Sequence, residues 1–188
     1  MYDVIRFLHI LAVVFMSAPL YNLIVVNERV RLGKAPFQVD RYFENLIKGN
    51  AVRCYIFQLT ALVTGILLVG GNLASLFTNW VLLAKLLLLL TLMVLLSVVH
   101  FGIQPRIEKL LAEVKGDSIP EEIARQLMPW RGRRKRLAAI CLFIVITIVL
   151  LGLQVFSRFS PILTISLIVL AALFAWRVYK SPIPYGWV

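Results

Sequence analysis

Five long apolar runs constrain the fold of this chain more than any other feature. Crossing the hydrocarbon core of a bilayer takes about 20 mostly apolar residues, and each run is about that long. The predicted spans are residues 4–26, 54–76, 80–103, 137–156 and 159–179. The sequence therefore predicts an all-α bundle of five transmembrane helices, which forms one membrane domain over residues 1–188.

The composition excludes a soluble globular domain. The chain is 61% hydrophobic and 15% charged, whereas soluble domains average about 45–50% apolar and about 25% charged residues. A net charge of +11 could indicate a nucleic-acid partner, but the cations cluster in two segments between apolar runs, residues 27–53 and 104–136. This is the positive-inside pattern. The expected partners are membrane lipids and not nucleic acid, and the expected location is a bacterial inner membrane.

The charge pattern also predicts an orientation. The short connections carry Arg158 as their one basic residue, so both long loops should be cytoplasmic, with the N-terminus outside and the C-terminus inside. Each loop is predicted to contain a short helix at the membrane surface. One covers residues 37–48 and ends at Gly49, and the other begins at Ser118 as N-cap. The basic run 131–136 anchors the topology or binds anionic lipid headgroups.

Lys85 interrupts the apolar run 80–103. A cation at the centre of a bilayer costs about 2.5–3.5 kcal/mol on insertion scales, so a chain rarely keeps one without a partner or a function. His9 and Lys85 each lie about 8 Å below the outer surface by helix rise, and could line one site. His100 lies roughly 22 Å further inward than Lys85. His9 and His100 therefore cannot be the two axial ligands of one haem.

Neutral imidazole is a usual axial ligand of haem iron, which makes His9 a candidate metal ligand for haem b. Lys85, Arg6 or Arg158 would then neutralise the propionates. Alternatively, His9 hydrogen-bonds a neighbouring helix and Lys85 extends to the outer headgroups. His100 is either an interfacial histidine or a contact for a second haem or a quinone. Further intramembrane polar residues are predicted to bond between helices: Asn22, Gln58, Thr60 and Thr64.

Three short segments carry a family resemblance: Leu8-His9-Ile10, the stretch from Thr60 to Gly65, and Trp80-Val-Leu-Leu-Ala-Lys85 followed by leucines. Over roughly the first 105 residues the chain resembles the HemJ-type protoporphyrinogen oxidases and the related CopD-like membrane domains. The resemblance implies a haem b ligand at His9 and a hallmark lysine at Lys85, and His100 matches a family histidine. The chain departs from the HemJ pattern at Met16 and Pro19, and its fourth span reads more like the CopD-like group.

These observations predict a haem b-binding membrane protein for electron transfer or porphyrin-linked oxidation, acting as a homo-oligomer or inside a larger redox complex. Its partner would be a quinone or a membrane redox protein. If the chain is an enzyme, the resemblance implies a membrane oxidoreductase with Lys85 as catalytic residue. Two alternatives stay open: a non-catalytic structural subunit of a membrane complex, and a CopD-like metal transport protein.

Overall fold

The computed structural model describes residues 1–27, 37–70, 74–155, 157 and 159–180. Within these ranges the chain forms helices and no strand, which confirms the all-α class. The helices are α1 (Tyr2–Asn27), α2 (Phe37–Leu68), α3 (Ala74–Thr78), α4 (Trp80–Ser97), a π-helical segment (Val98–Ile103), α5 (Gln104–Ala112), α6 (Glu121–Gln154) and α7 (Pro161–Lys180).

Four helical segments of the described chain are long and apolar enough to cross a membrane, judged by length and composition. They are Phe37–Leu68, Trp80–Ala112, Glu121–Gln154 and Pro161–Lys180. Helices suit this environment because their backbone groups bond to one another and leave none facing lipid. The first predicted span corresponds to α1, a helix of 26 residues. The count of five spans and the orientation stay predictions.

Helix α6 lies at the centre of the bundle. Its apolar part is 56% buried, against 17–22% for the other three candidate spans. One core cluster joins it to α1 through Met16 and to α4 through Leu89 and Leu92, with Val145 and Ile148 among its own residues. The outer helices keep apolar faces exposed, which is what helices bordering lipid require.

Two predicted helix ends differ in the structure. The segment predicted to end at Gly49 continues without a break through α2 to Leu68, so Gly49 is an interior helix position and not a C-cap. Helix α6 begins at Glu121 after Pro120, and no side chain caps its start, so Ser118 does not have the predicted role. The two loops between spans are therefore largely helical where the structure describes them.

A buried network of charged and polar side chains joins α2, α5 and α6 at the polar end of the bundle. Its contacts hold the first part of α2 against α6, which explains why α2 continues through Gly49. Arg131 pairs with Asp40 and also lies 3.1 Å from Glu44. Arg134 binds the two oxygens of Glu44 at 2.5 and 3.0 Å, and donates to Gln104 at 2.9 Å. All five side chains are at most 4% exposed. Two arginines of the basic run, which was predicted to anchor the topology or bind lipid headgroups, are thus buried in ion pairs.

Candidate functional site

His9 lies on α1, against the membrane part of α2. Its Nδ1 is 2.9 Å from the hydroxyl oxygen of Thr64. The Thr64 hydroxyl donates its own proton to the carbonyl of Thr60 at 2.6 Å, so its oxygen accepts from His9. A neutral His9 must then carry its proton on Nδ1, which leaves the lone pair on Nε2. The predicted interhelical bonding of Thr64 is confirmed.

Gly65 lets the two helices approach at this point. A Cβ at this position would lie 3.3 Å from Cε1 of His9, a distance at which the imidazole would have to move. The histidine is therefore held on one edge by the Thr64 hydroxyl and on one side by the Gly65 backbone. Fixing the ring in this way is how a neighbouring group orients a metal-binding histidine.

Lys85 lies on α4 and is half-buried. A Cβ at Gly152 of α6 would lie 3.7 Å from its Nζ, so Lys85 lies against α6. One core cluster holds α1 and α4 to the same helix, and the common depth of His9 and Lys85 stays a prediction. We call His9, Thr64, Gly65, Lys85 and Gly152 the imidazole–lysine site.

The sequence did not identify the two glycines as parts of this site. A glycine in a membrane helix signals close approach of another backbone or side chain, but it does not indicate which one. Arg6 precedes His9 by nearly one helical turn and is partly buried. Arg158, the third predicted counter-ion, lies outside the described residues.

His100 lies in the π-helical segment, in a different region. Its ring is 6.0 Å from that of Tyr55 and 4.8 Å from that of Phe101. Its Nδ1 is buried and has no hydrogen-bond partner among the described residues. Tyr55 precedes Thr64 on α2 by nine residues, or about 14 Å of helix. The structure therefore keeps the two histidines apart, as the depth argument required.

Two open clefts lie near His100 and not at the imidazole–lysine site. The apolar cleft, about 650 Å³, is lined by Tyr55, Met93, Val94, Ser97, Val98, Phe101 and Gly102. The arginine cleft, about 400 Å³, shares Val98 and Gly102 and adds Arg106, Trp130, Arg133 and Arg136 among others. His9 and Lys85 line neither cleft.

A multi-residue metal site is absent from the part of the chain that the structure describes. No group of three or more His, Cys, Asp or Glu side chains there could hold a metal ion.

Comparison with known proteins identifies a family and no activity. The family model described as "Predicted integral membrane protein (DUF2269)" matches residues 3–156, which include α1 to α6 and the whole imidazole–lysine site. No curated protein and no solved structure matches the chain. The description names an integral membrane protein, so the resemblance to HemJ-type and CopD-like proteins stays a prediction.

Proposed function

Because the chain belongs to this DUF2269 family of predicted integral membrane proteins, we propose that it works inside the membrane, where it binds haem b through His9 and transfers electrons. It would act as a homo-oligomer or as a subunit of a larger redox complex. A quinone or another membrane redox protein would be its partner. The observation that carries the proposal is the hydrogen bond between His9 and Thr64.

The donor chemistry of His9 fits an axial iron ligand. Iron binds an unprotonated imidazole nitrogen, and the other ring nitrogen usually donates to a neighbouring acceptor. The Thr64 oxygen, 2.9 Å from Nδ1, is such an acceptor, so Nε2 is the nitrogen left for a metal. A bound haem b would supply an iron that accepts and releases one electron at a time.

Lys85 has a separate part in the proposal. A half-buried ammonium is costly in a membrane unless a negative group lies near it. A carboxylate of the porphyrin would provide that charge while Lys85 anchors it.

The test is the absorption spectrum of the purified protein, oxidised and reduced, from haem-replete cells. We expect a b-type Soret band that His9→Ala removes. The chain provides a matched control in its second histidine, because His100 lies in the π-helical segment, away from the imidazole–lysine site. His100→Ala should retain the band.

Two substitutions at Thr64 test the orientation of the imidazole. Thr64→Val removes the acceptor for Nδ1 and keeps the shape of the side chain, so it should weaken haem retention and shift the reduced band. Thr64→Ser keeps the hydroxyl and should behave as the unchanged protein. Lys85→Met should weaken haem retention without abolishing the band, because Lys85 serves a carboxylate and not the iron.

The same experiments separate the proposal from its alternatives. A colourless protein that co-purifies with fixed partners would identify a structural subunit. Metal uptake by vesicles that contain a haem-free protein would identify a transport protein. Rescue of a haem-synthesis mutant, lost in Lys85→Met, would add an oxidase activity to the haem site.

A further inference from the structure

The arginines of the basic run divide into two groups by the face of α6 on which they lie. Arg131 and Arg134 point into the bundle and pair with Asp40 and Glu44. Arg133 and Arg136 lie on the opposite side and are exposed. This division follows from the helical repeat, since residues three apart share a face and neighbouring residues do not.

The exposed arginines meet a third one from α5 at the arginine cleft. The guanidinium carbon of Arg106 lies 4.4 Å from the ring centre of Trp130, and that of Arg133 lies 4.8 Å from the same centre. Arg136 lies over Tyr179 at 5.5 Å. These cation–π contacts hold the guanidinium groups at the cleft.

None of these three arginines pairs with a carboxylate in the described part of the chain. The contrast with Arg131 and Arg134, which bind the carboxylates of α2, is direct. The cleft therefore presents three positive charges whose counter-charge must come from outside these residues. Guanidinium groups suit phosphate oxygens, because their N–H donors form a planar fork.

The arginine cleft and the apolar cleft are adjacent, because Val98 and Gly102 line both. From there the apolar cleft follows α4 to Met93. Thirteen residues separate Met93 from Arg106, so the two clefts together extend about 20 Å along the helices. That is more than half of a hydrocarbon core about 30 Å thick.

We propose that the joined clefts bind one anionic phospholipid, with its phosphate among Arg106, Arg133 and Arg136 and an acyl chain along the apolar cleft. A basic pocket between membrane helices is the usual form of an anionic-lipid site. The apolar continuation favours a lipid over a soluble phosphate compound, because a soluble compound would leave that groove uncovered. Trp130 lies in the charged part of the site, where its ring contacts Arg106 and Arg133.

The test is native mass spectrometry of the full chain in detergent, titrated with phosphatidylglycerol or with phosphatidylcholine of the same acyl chains. We expect tighter binding of phosphatidylglycerol. The triple variant R106Q/R133Q/R136Q should weaken it at least about tenfold, because it removes all three cations that would face the phosphate.

A control variant removes the same charge elsewhere. Arg41, Arg53 and Lys115 are exposed and line neither cleft. R41Q/R53Q/K115Q should leave phosphatidylglycerol affinity within about twofold, because none of these side chains lines the cleft that would hold the phosphate. Equal loss in the two triple variants would overturn the proposal, since it would show a diffuse charge effect without a site.

Gly102 allows a test of the apolar half. A Cβ there meets no atom within 4 Å, so a large side chain would enter the junction of the clefts and not the protein core. G102W should weaken the binding of diacyl phosphatidylglycerol, while G102A should leave it unchanged. Unchanged lipid binding in a monodisperse G102W protein would refute the acyl-chain site, and the arginine variants decide the headgroup site separately.

Discussion

The buried pair of Arg134 and Glu44 allows a quantitative test of the polar end of the bundle. Arg134 is 0% exposed and Glu44 is 3% exposed. Two hydrogen bonds, at 2.5 and 3.0 Å, join them, and a third joins Arg134 to Gln104. Removing one partner of such a pair leaves a buried charge with too little compensation, which costs about 3–5 kcal/mol.

We expect Arg134→Met to fall near the lower end of that range, at about 3 kcal/mol, because Arg131 remains 3.1 Å from Glu44. The double variant R134M/E44M removes both charges and should regain most of the loss. Apolar replacement of a whole buried pair is often close to neutral. The coupling free energy between the two positions should therefore be about 2–3 kcal/mol.

The assay is reversible unfolding in detergent, followed by circular dichroism as a denaturing detergent is added. Arg125→Met is the control, because its ion pair with Glu121 is 72% and 73% exposed, and such pairs contribute less than about 1 kcal/mol. If Arg134→Met costs no more than Arg125→Met, the buried network does not hold α2 to α6. Additive single losses in the double variant would contradict the proposed coupling.

Further predictions concern helix packing. Gly49→Ala should stabilise the protein by up to about 1 kcal/mol, because alanine favours a helix and a Cβ at this position meets no other atom. In Gly65→Ala the new Cβ would crowd His9, so the stabilisation should disappear or reverse. Thermal unfolding of the two variants measures the difference, and equal shifts in melting temperature would contradict the close approach of His9 to Gly65. Tyr55→Phe removes a 2.8 Å hydrogen bond to Ser97 and should lower the free energy of unfolding by about 0.5–1.5 kcal/mol. Ser97→Ala removes the same bond from the other side, and an unchanged free energy of unfolding in both variants would mean that the bond contributes nothing.

The position of His9 and Lys85 shows how far sequence reasoning reaches. Helix rise alone predicted that these residues share a depth and that His100 does not, because depth depends only on position along each helix. The rise per residue does not determine which helices are neighbours, or which side of each helix faces the other. The contribution of Thr64 and Gly65 depends on the rotation of α2 relative to α1, which side-chain packing decides.

The basic run shows where sequence reasoning failed. Arg131 and Arg134 belong to the basic run 131–136, and the sequence predicted one common role for the whole run, as a topology anchor or a binder of lipid headgroups. Their carboxylate partners lie about 90 residues earlier, and each partner alone resembles an ordinary polar position of an amphipathic helix. Pairing across such a distance leaves no local pattern, so the structure was needed to show that α2 continues through Gly49 and that its carboxylates are buried.

The apolar runs alone predict a helical chain that occupies a membrane, and helix rise predicts which residues lie at similar depths. Both predictions are local, because the free energy of transfer to lipid and the rise of a helix add up residue by residue along the chain. Tertiary packing was needed to show that His9 meets Thr64, that two arginines are buried and that three others border a cleft. These properties depend on the rotation and lateral order of helices, which follow from packing between segments distant in sequence.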